Sequence, residues 1–188
     1  VLELGPDGNA RTVTGKLLED TGGTLSWLAS DGVDADQTDG KIAGAAIELL
    51  ESHAKENKPF YLAVGFFRPH TPYIAPRKYY DMYPREAIKV PEVAPNNKDL
   101  FPAAALALQK PMQLAMSDDL KRAAIQAYSA ATTFMDAQVG QLLDALDRLN
   151  LANNTIIVFH GDHGYHLGEK NMWQKMSIFE ESARVPLI

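Results

Sequence analysis

A short apolar run, residues 155–159 (TIIVF), passes directly into HGDHGYHLG, residues 160–168. Apolar and β-branched residues bounded by such turn formers predict a buried strand. Open α/β sheets bind ligands beyond the carboxyl ends of their strands, which is where Asp162 and His163 lie. Gly161 and Gly164 would permit a tight turn that points both side chains at one centre, and a carboxylate beside an imidazole suits a divalent cation. The alternative is an ordinary turn in which both residues merely close the strand.

A second apolar run, residues 60–67 (FYLAVGFF), predicts another strand that is covered on both faces, as in a parallel sheet. It leads into residues 68–73 (RPHTPY), where His70 lies between two prolines that restrict the backbone. Two strand ends that carry histidines would meet at one edge of the sheet. His70 is therefore a further candidate site residue, and a histidine in a surface loop is the alternative.

One predicted helix precedes the strand of residues 60–67, and a second lies between the two strands. Thr38 or Asp39 can cap a helix that opens at about Gly40, and Ser117 can cap a long amphipathic helix that closes near Asn150. Nine of the eleven prolines lie between positions 59 and 111, which predicts irregular chain with short helical pieces. The order helix, strand, long loop, helix, strand is typical of an α/β domain with a parallel sheet.

Composition excludes several classes of protein. The 188 residues include 18 basic and 24 acidic side chains, a formal charge of −6, which argues against a non-specific nucleic-acid binder or a basic membrane-surface protein. No apolar run approaches the roughly 18 residues needed to span a bilayer. Because the chain has no cysteine, disulfides, thiolate metal sites and a cysteine nucleophile are excluded within these residues.

Lys175 is the last candidate, shortly after Trp173. A lysine there could bind an anionic oxygen beside a metal, although a solvated surface lysine is the alternative. The acidic stretch of residues 31–39 lacks the spacing of a calcium-binding loop and is interpreted as solvated.

Several segments in a fixed order resemble the type I sulfatases of the alkaline phosphatase-like superfamily, and most closely their iduronate-2-sulfatase branch. The likeness runs over about residues 34–188, and the segments that carry it are residues 58–66, 68–73, 128–140, 155–168, 173–175 and 185–188. The resemblance implies an alkaline phosphatase-like α/β fold whose mostly parallel central sheet is flanked by helices and is incomplete at both ends. It also implies hydrolysis of a sulfate ester and one bound Ca²⁺.

Carried over to this sequence, Asp162 and His163 match the later pair of metal ligands in the family. Lys175 and His70 match groups that contact the sulfate, and both are expected to be catalytic. Many sulfatases have Asn where this chain has His163, whereas the iduronate-type branch has His. The remaining ligands of the ion are expected outside this chain.

The family nucleophile is a formylglycine made from Cys or Ser in a C/S-x-P/A-x-R motif. The chain has no cysteine, and none of its serines begins that motif. We therefore expect the central part of a sulfatase catalytic domain, with residues 1–38 as a loop-rich lead-in and residues 39–188 as the core, which is inactive alone.

The expected partner is a small-molecule or saccharide sulfate ester, with no nucleic acid and no membrane span, and the oligomeric state is not readable. By resemblance the parent protein is periplasmic, secreted or lysosomal, although no targeting segment is present in the sequence. Two alternatives stay open: a phosphomonoester or phosphonate hydrolase of the same superfamily, and a non-catalytic relative of the fold.

Overall fold

The computed structural model describes residues 2–4, 10–12, 25–56 and 58–188, the first two ranges by their backbone. The strands are β1 (Leu2–Leu4), β2 (Ala10–Thr12), β3 (Trp27–Ser30), β4 (Tyr73–Pro76), β5 (His166–Leu167) and β6 (Trp173–Gln174). The helices are α1 (Thr38–Glu56), α2 (Arg77–Tyr80), α3 (Pro111–Leu114), α4 (Asp118–Arg148) and α5 (Glu180–Ala183). Of the predicted lead-in, residues 1–38, positions 1, 5–9 and 13–24 lie outside the described residues.

The strands form three two-stranded sheets. β3 and β4 pair in parallel, from Trp27 opposite Tyr73 to Ser30 opposite Pro76. The pairs β1–β2 and β5–β6 are antiparallel. Among the described residues, parallel pairing is therefore confined to β3 and β4, which bracket α1 in the chain order expected of an α/β unit.

The chain divides into two compact units. The first comprises Trp27–Pro84 and Ala127–Ile157. The second comprises the described residues of Leu2–Ser26 together with Arg85–Gln126 and Val158–Ile188. The long helix α4 contributes its first residues to the second unit and the rest to the first.

Both long helices follow the local signals in the sequence. α1 begins at Thr38 and ends at Glu56, and α4 begins one residue after Ser117, as predicted. The Oγ of Ser117 accepts a hydrogen bond from the N–H of Leu120 (3.3 Å), so it is the N-cap. In the first unit, Leu50 of α1 packs with Ala145 and Leu146 of α4 in a buried apolar cluster.

The two apolar runs are extended, but the prediction that they are buried strands is wrong. In residues 60–67 exposure alternates, Tyr61 is 91% exposed, and no strand pairs with this segment among the described residues. Ile156 is 94% and Val158 64% exposed, and pairing begins only at Phe159, which exchanges two 2.9 Å backbone hydrogen bonds with Ile188. Apolar composition favours extended backbone, whereas burial also requires a neighbouring strand and a covering layer.

Within the described part of the chain, no helix is long and apolar enough to cross a bilayer.

Candidate functional site

His163 and Lys175 meet directly in the second unit. The Nζ of Lys175 lies 2.9 Å from Nε2 of His163, and the Nδ1 of the same ring lies 2.8 Å from the carbonyl oxygen of Gly164. A carbonyl can only accept and an ammonium can only donate, so together the two contacts require a neutral imidazole with its proton on Nδ1. The Nε2 lone pair of His163 therefore faces Lys175.

Asp162 lies beside this pair at the surface. Its Oδ1 accepts the backbone N–H of His163 (3.0 Å), and its Oδ2 lies 3.6 Å from Nε2 of His163. Its side chain is 88% exposed, whereas that of His163 is only 32% exposed. The structure thus brings together three of the four predicted site residues.

Gly164 permits a close approach rather than an unusual turn. Its N–H donates to the carbonyl oxygen of Ser182 (2.8 Å), and a Cβ at this position would lie 2.3 Å from the carbonyl oxygen of Glu181 and 2.7 Å from that of Arg184. Neither Gly161 nor Gly164 is among the described residues with positive φ. The sequence thus marked the right glycine, but its role is to let the backbone of His163 rest on α5.

Sequence reasoning did not single out His166, which is fully buried and lies opposite Gln174, the neighbour of Lys175, in the β5–β6 hairpin. Its Nε2 lies 2.8 Å from the Oγ of Ser177. Burial lowers the pKa of His166, and the carboxylate of Glu181 opposes that shift only in part. The one available signal was its place in the histidine cluster of residues 160–166.

Lys170 connects the loop that carries His163 and Lys175 to the proline-rich segment by hydrogen bonds. Its ammonium pairs with the carboxylate of Glu181 and lies 4.9 Å from the centre of the Phe179 ring. Its carbonyl oxygen accepts hydrogen bonds from the side-chain amides of Asn97 (3.2 Å) and Gln109 (2.7 Å). The hydrogen bond from Lys170 lowers the pKa of Glu181, so this pair stays charged.

His70 belongs to the first unit. It is exposed, and its Nδ1 lies 2.7 Å from the carbonyl oxygen of Thr71, which assigns the ring proton to Nδ1. The backbone before it is fixed by Asp39, whose two carboxylate oxygens accept the N–H groups of Phe67 (2.9 Å) and Arg68 (2.8 Å). Asp39 is 1% exposed, so the residue predicted as a helix cap instead anchors a distant loop.

Arg68 completes the support of this loop. Its Nε donates to the carbonyl oxygen of Ile74 (3.0 Å) and its NH1 to that of His70 (2.9 Å). Burial lowers the pKa of Arg68, and the nearby carboxylate of Asp39 offsets part of that shift. The guanidinium still carries its charge at any physiological pH.

The acidic stretch of residues 31–39 is predicted to be solvated, but Asp34 within it makes several side-chain contacts. Asp34 accepts a hydrogen bond from the hydroxyl of Tyr79 (2.7 Å) and pairs with Lys78 (2.8 Å). Burial raises the pKa of Asp34, but the hydrogen bonds from Lys78 and Tyr79 outweigh burial and lower it. These contacts are structural, in keeping with the absence of calcium-loop spacing.

Asp162 and His163 fit part of a cation site. Two donor atoms 3.6 Å apart can both reach one ion at the about 2.4 Å typical of calcium. The proton of His163 is held on Nδ1 by a carbonyl, the arrangement usual for a ligating histidine. No group of three histidine, aspartate or glutamate side chains that could hold a metal occurs within the described residues. If an ion binds here, the pair would supply two ligands of a shell that needs more.

Comparison with known proteins identifies a family. Residues 12–188 match the family model described as Sulfatase. A sulfatase of Formosa agariphila is 36% identical over 166 residues, which cover 86% of this chain and 32% of that protein. Iduronate 2-sulfatase of Homo sapiens is 40% identical over 157 residues, which cover 76% of this chain and 28% of that protein. The chain thus spans less than a third of the length of these curated relatives.

A solved structure extends the comparison to the fold. The phosphonate monoester hydrolase of Agrobacterium radiobacter superposes with a TM-score of 0.73 at 22% sequence identity. The superposition covers 93% of this chain and 38% of that one. At this identity, the likeness is one of backbone architecture.

Proposed function

The chain belongs to the sulfatase family, and we propose that it supplies part of the catalytic domain of a sulfuric ester hydrolase. The alkaline phosphatase-like α/β fold predicted from the sequence is confirmed by its structural neighbours. The observation that carries the proposal is the contact between Lys175 and His163 beside Asp162. It puts an ammonium, an imidazole and a carboxylate on one loop, where the ammonium could bind a sulfate oxygen and the other two groups a metal ion.

Lys175 and His70 are the proposed sulfate contacts. The ammonium of Lys175 has three N–H donors and no acceptor, so it can offer those donors to sulfate oxygens. An oriented charge in a site that excludes water stabilises the charge that develops on the transferring group. His70, on a loop fixed by Asp39 and Arg68, is proposed to lie near the sulfate or the leaving oxygen.

Asp162 and His163 would hold the metal. Sulfatases are generally metal-dependent, and we propose Ca²⁺, which when bound would neutralise charge on the sulfate oxygens. The hydrogen bond from Nδ1 of His163 to Gly164 keeps Nε2 available as a ligand. Because one lone pair serves one partner, Lys175 would turn its donor to the substrate once His163 ligates the ion.

The nucleophile is proposed to come from outside residues 1–188, as a formylglycine, because no cysteine and no suitable serine motif is present here. Residues 39–188 would then be the core of a longer catalytic domain. The purified 188-residue chain should hydrolyse no aryl sulfate above a buffer control, since charge stabilisation without a nucleophile has nothing to act on. Measurable turnover by the chain alone would disprove this part of the proposal.

The substrate class is a sulfated sugar or another sulfate ester, and the parent protein is proposed to act outside the cytoplasm. A phosphonate or phosphate ester hydrolase is the second candidate, favoured by the superposition on the Agrobacterium radiobacter enzyme. The sulfatase relatives at 36% and 40% identity favour sulfate. Rates of the full-length protein on 4-nitrophenyl sulfate and on a 4-nitrophenyl phosphonate ester decide between them, and faster phosphonate hydrolysis would overturn the proposal.

The metal is tested separately by thermal melts of the full-length protein with and without Ca²⁺. Binding to the folded state should raise the melting temperature through mass action. Asp162→Ala should abolish both the rise and the activity, while Asp144→Ala, an exposed change on α4, should keep both. A calcium-dependent rise that survives in Asp162→Ala would place the ion elsewhere.

A further inference from the structure

Lys175 lies on a turn whose backbone needs outside support. Its two neighbours, Gln174 and Met176, both have φ of 74°, in the left-handed region that side chains with a Cβ rarely adopt. Such conformations persist only where the surrounding structure determines them. Residues 174–177, here named the lysine turn, must therefore be held by the groups around them.

His166 contacts both ends of the lysine turn. The β5–β6 register places it opposite Gln174, and its Nε2 lies 2.8 Å from the Oγ of Ser177. The backbone N–H of Ser177 in turn donates to the Oγ of Ser182, a buried residue of α5 (3.3 Å). His166 thus pairs through its strand with the residue that enters the turn, and its imidazole contacts the residue that ends it.

The burial of His166 indicates that this link has a function. The residue is 0% exposed, and its Nδ1 has no hydrogen-bond partner among the described residues. A buried polar atom without a partner is destabilising, and an apolar side chain of similar size would avoid that cost. Because orphaned N–H groups are rarer than orphaned acceptors, we assign the ring proton to Nε2, which then donates to Ser177.

We propose that His166 is a positioning residue that acts through Ser177 to hold the backbone that carries Lys175 in place beside His163. Its contacts are with the ends of the lysine turn, and they keep Lys175 next to the proposed metal ligand, at 2.9 Å in this structure. This inference rests on the proposed function, in which Lys175 binds a sulfate oxygen. Because displacement of such a group by about 1 Å can cost about 100-fold in rate, the support of the turn matters to catalysis.

A double-mutant cycle in the full-length enzyme tests the route through Lys175. His166→Phe, which retains an aromatic ring beside Phe179, should lower kcat/KM by about 10- to 100-fold. In a Lys175→Ala background the same change should alter kcat/KM by less than about twofold, because the group through which His166 acts is already gone. Equal losses in both backgrounds would show a general structural role and overturn the proposal.

The matched control is His53→Phe, which replaces a partly buried histidine stacked on Phe60 in the first unit. It should leave kcat/KM within about twofold of wild type. A loss as large as that of His166→Phe would mean that any such replacement perturbs the enzyme, and the proposal would fail.

A second measurement needs no sulfatase activity and uses a milder change. Trinitrobenzenesulfonate labelling of Lys175 in the full-length protein, read by mass spectrometry, should be faster in Ser177→Ala than in wild type. Ser177→Thr, which keeps the hydroxyl, should restore the wild-type rate. An unchanged labelling rate in Ser177→Ala would overturn the positioning role even if the enzyme is a sulfatase. Faster labelling in a protein that hydrolyses no sulfate ester would instead overturn the proposed function alone.

Discussion

The two loops that carry the candidate residues are stabilised in different ways. In the His70 loop, residues 67–76, one buried carboxylate and one guanidinium bind backbone groups, and the imidazole bonds only its neighbouring carbonyl. In the His163 loop, residues 160–177, the functional side chains contact one another and rest on buried side chains beneath them. The first loop fixes the path of the backbone, whereas the second fixes the positions of chemical groups. Loss of Asp39 should therefore act mainly on folding, whereas loss of Lys175 should act mainly on chemistry.

The largest effect is expected from Lys175→Ala in the full-length enzyme. Loss of one oriented charge in a site that excludes water should lower kcat/KM by about 10²–10³-fold while the melting temperature stays nearly constant. Lys89→Ala, an exposed lysine in the same unit, is the control for kinetic assays. Activity within about twofold of wild type would show that Lys175 is a surface lysine without a role in the chemistry. The contrast between the two loops would then fail.

The His70 loop is tested by Asp39→Ala. Two backbone N–H groups would lose a buried charged acceptor, so the free energy of unfolding should fall by about 2–4 kcal/mol. Urea denaturation measures the change, and Asp144→Ala on the exposed face of α4 should shift it by less than about 0.5 kcal/mol. Equal midpoints for Asp39→Ala and wild type would show that Arg68 alone holds the loop.

Gly164→Ala tests how closely the His163 loop rests on α5. Its new Cβ would lie 2.3 Å from a carbonyl oxygen, so the backbone must move, at a cost of about 1–3 kcal/mol. At Gly161, by contrast, a Cβ meets side-chain atoms at 3.6 Å, an ordinary contact, and alanine should be tolerated. Thermal melts of the two variants separate them, and equal stability would contradict the packing described.

The dependence of stability on pH should reveal the buried histidine of the His163 loop. Since burial lowers the pKa of His166, the folded state binds fewer protons than the unfolded chain below the ordinary histidine value of 6.5. Stability should therefore fall as the pH drops below about 6.5, by at most about 1.4 kcal/mol per pH unit for this one proton. In His166→Phe that part of the slope should disappear from melts recorded between pH 7 and pH 5. An unchanged slope would assign the acid sensitivity to other groups.

The smallest effect is expected outside both loops, at Gly140 within α4. Nothing lies within 4 Å of the Cβ that alanine would add there. Gly140→Ala should stabilise the chain by about 0.5–1 kcal/mol because glycine is costly inside a helix. Urea denaturation measures this change in the free energy of unfolding. A loss of stability would show that another group lies close to position 140 in solution.

The helices could be predicted because their signals are local. Ser117 caps α4 through a contact three residues away, and α1 begins at Thr38, within two residues of the predicted start, although the predicted cap Asp39 binds a distant loop instead. The strands could not, because burial of residues 60–67 and 155–159 depends on neighbours that composition does not specify.

In the candidate site, too, some features could be predicted from the local sequence and others depend on the fold. Asp162, His163 and Lys175 were predicted from residue types and spacing, and the structure brings them together. The support of Asp39 for residues 67 and 68 spans 28 and 29 positions, and the contact of His166 with Ser177 depends on the register of a hairpin. Such contacts become visible only when the chain is folded.

The paired amides on the carbonyl of Lys170 bear on how the protein ages in storage. Asn97 and Gln109 each donate through a side-chain NH₂ group. Deamidation would turn either donor into a carboxylate that faces a carbonyl oxygen and repels it. Asparagine deamidates chiefly when the backbone nitrogen of the next residue attacks the side-chain carbonyl carbon. Asn97 is 6% exposed and hydrogen-bonded to Lys170, so the fold holds it against that rearrangement. Warm storage that loosens this turn should therefore increase the fraction of molecules that carry the small mass gain of deamidation at Asn97. That fraction would report how much heating the protein has experienced.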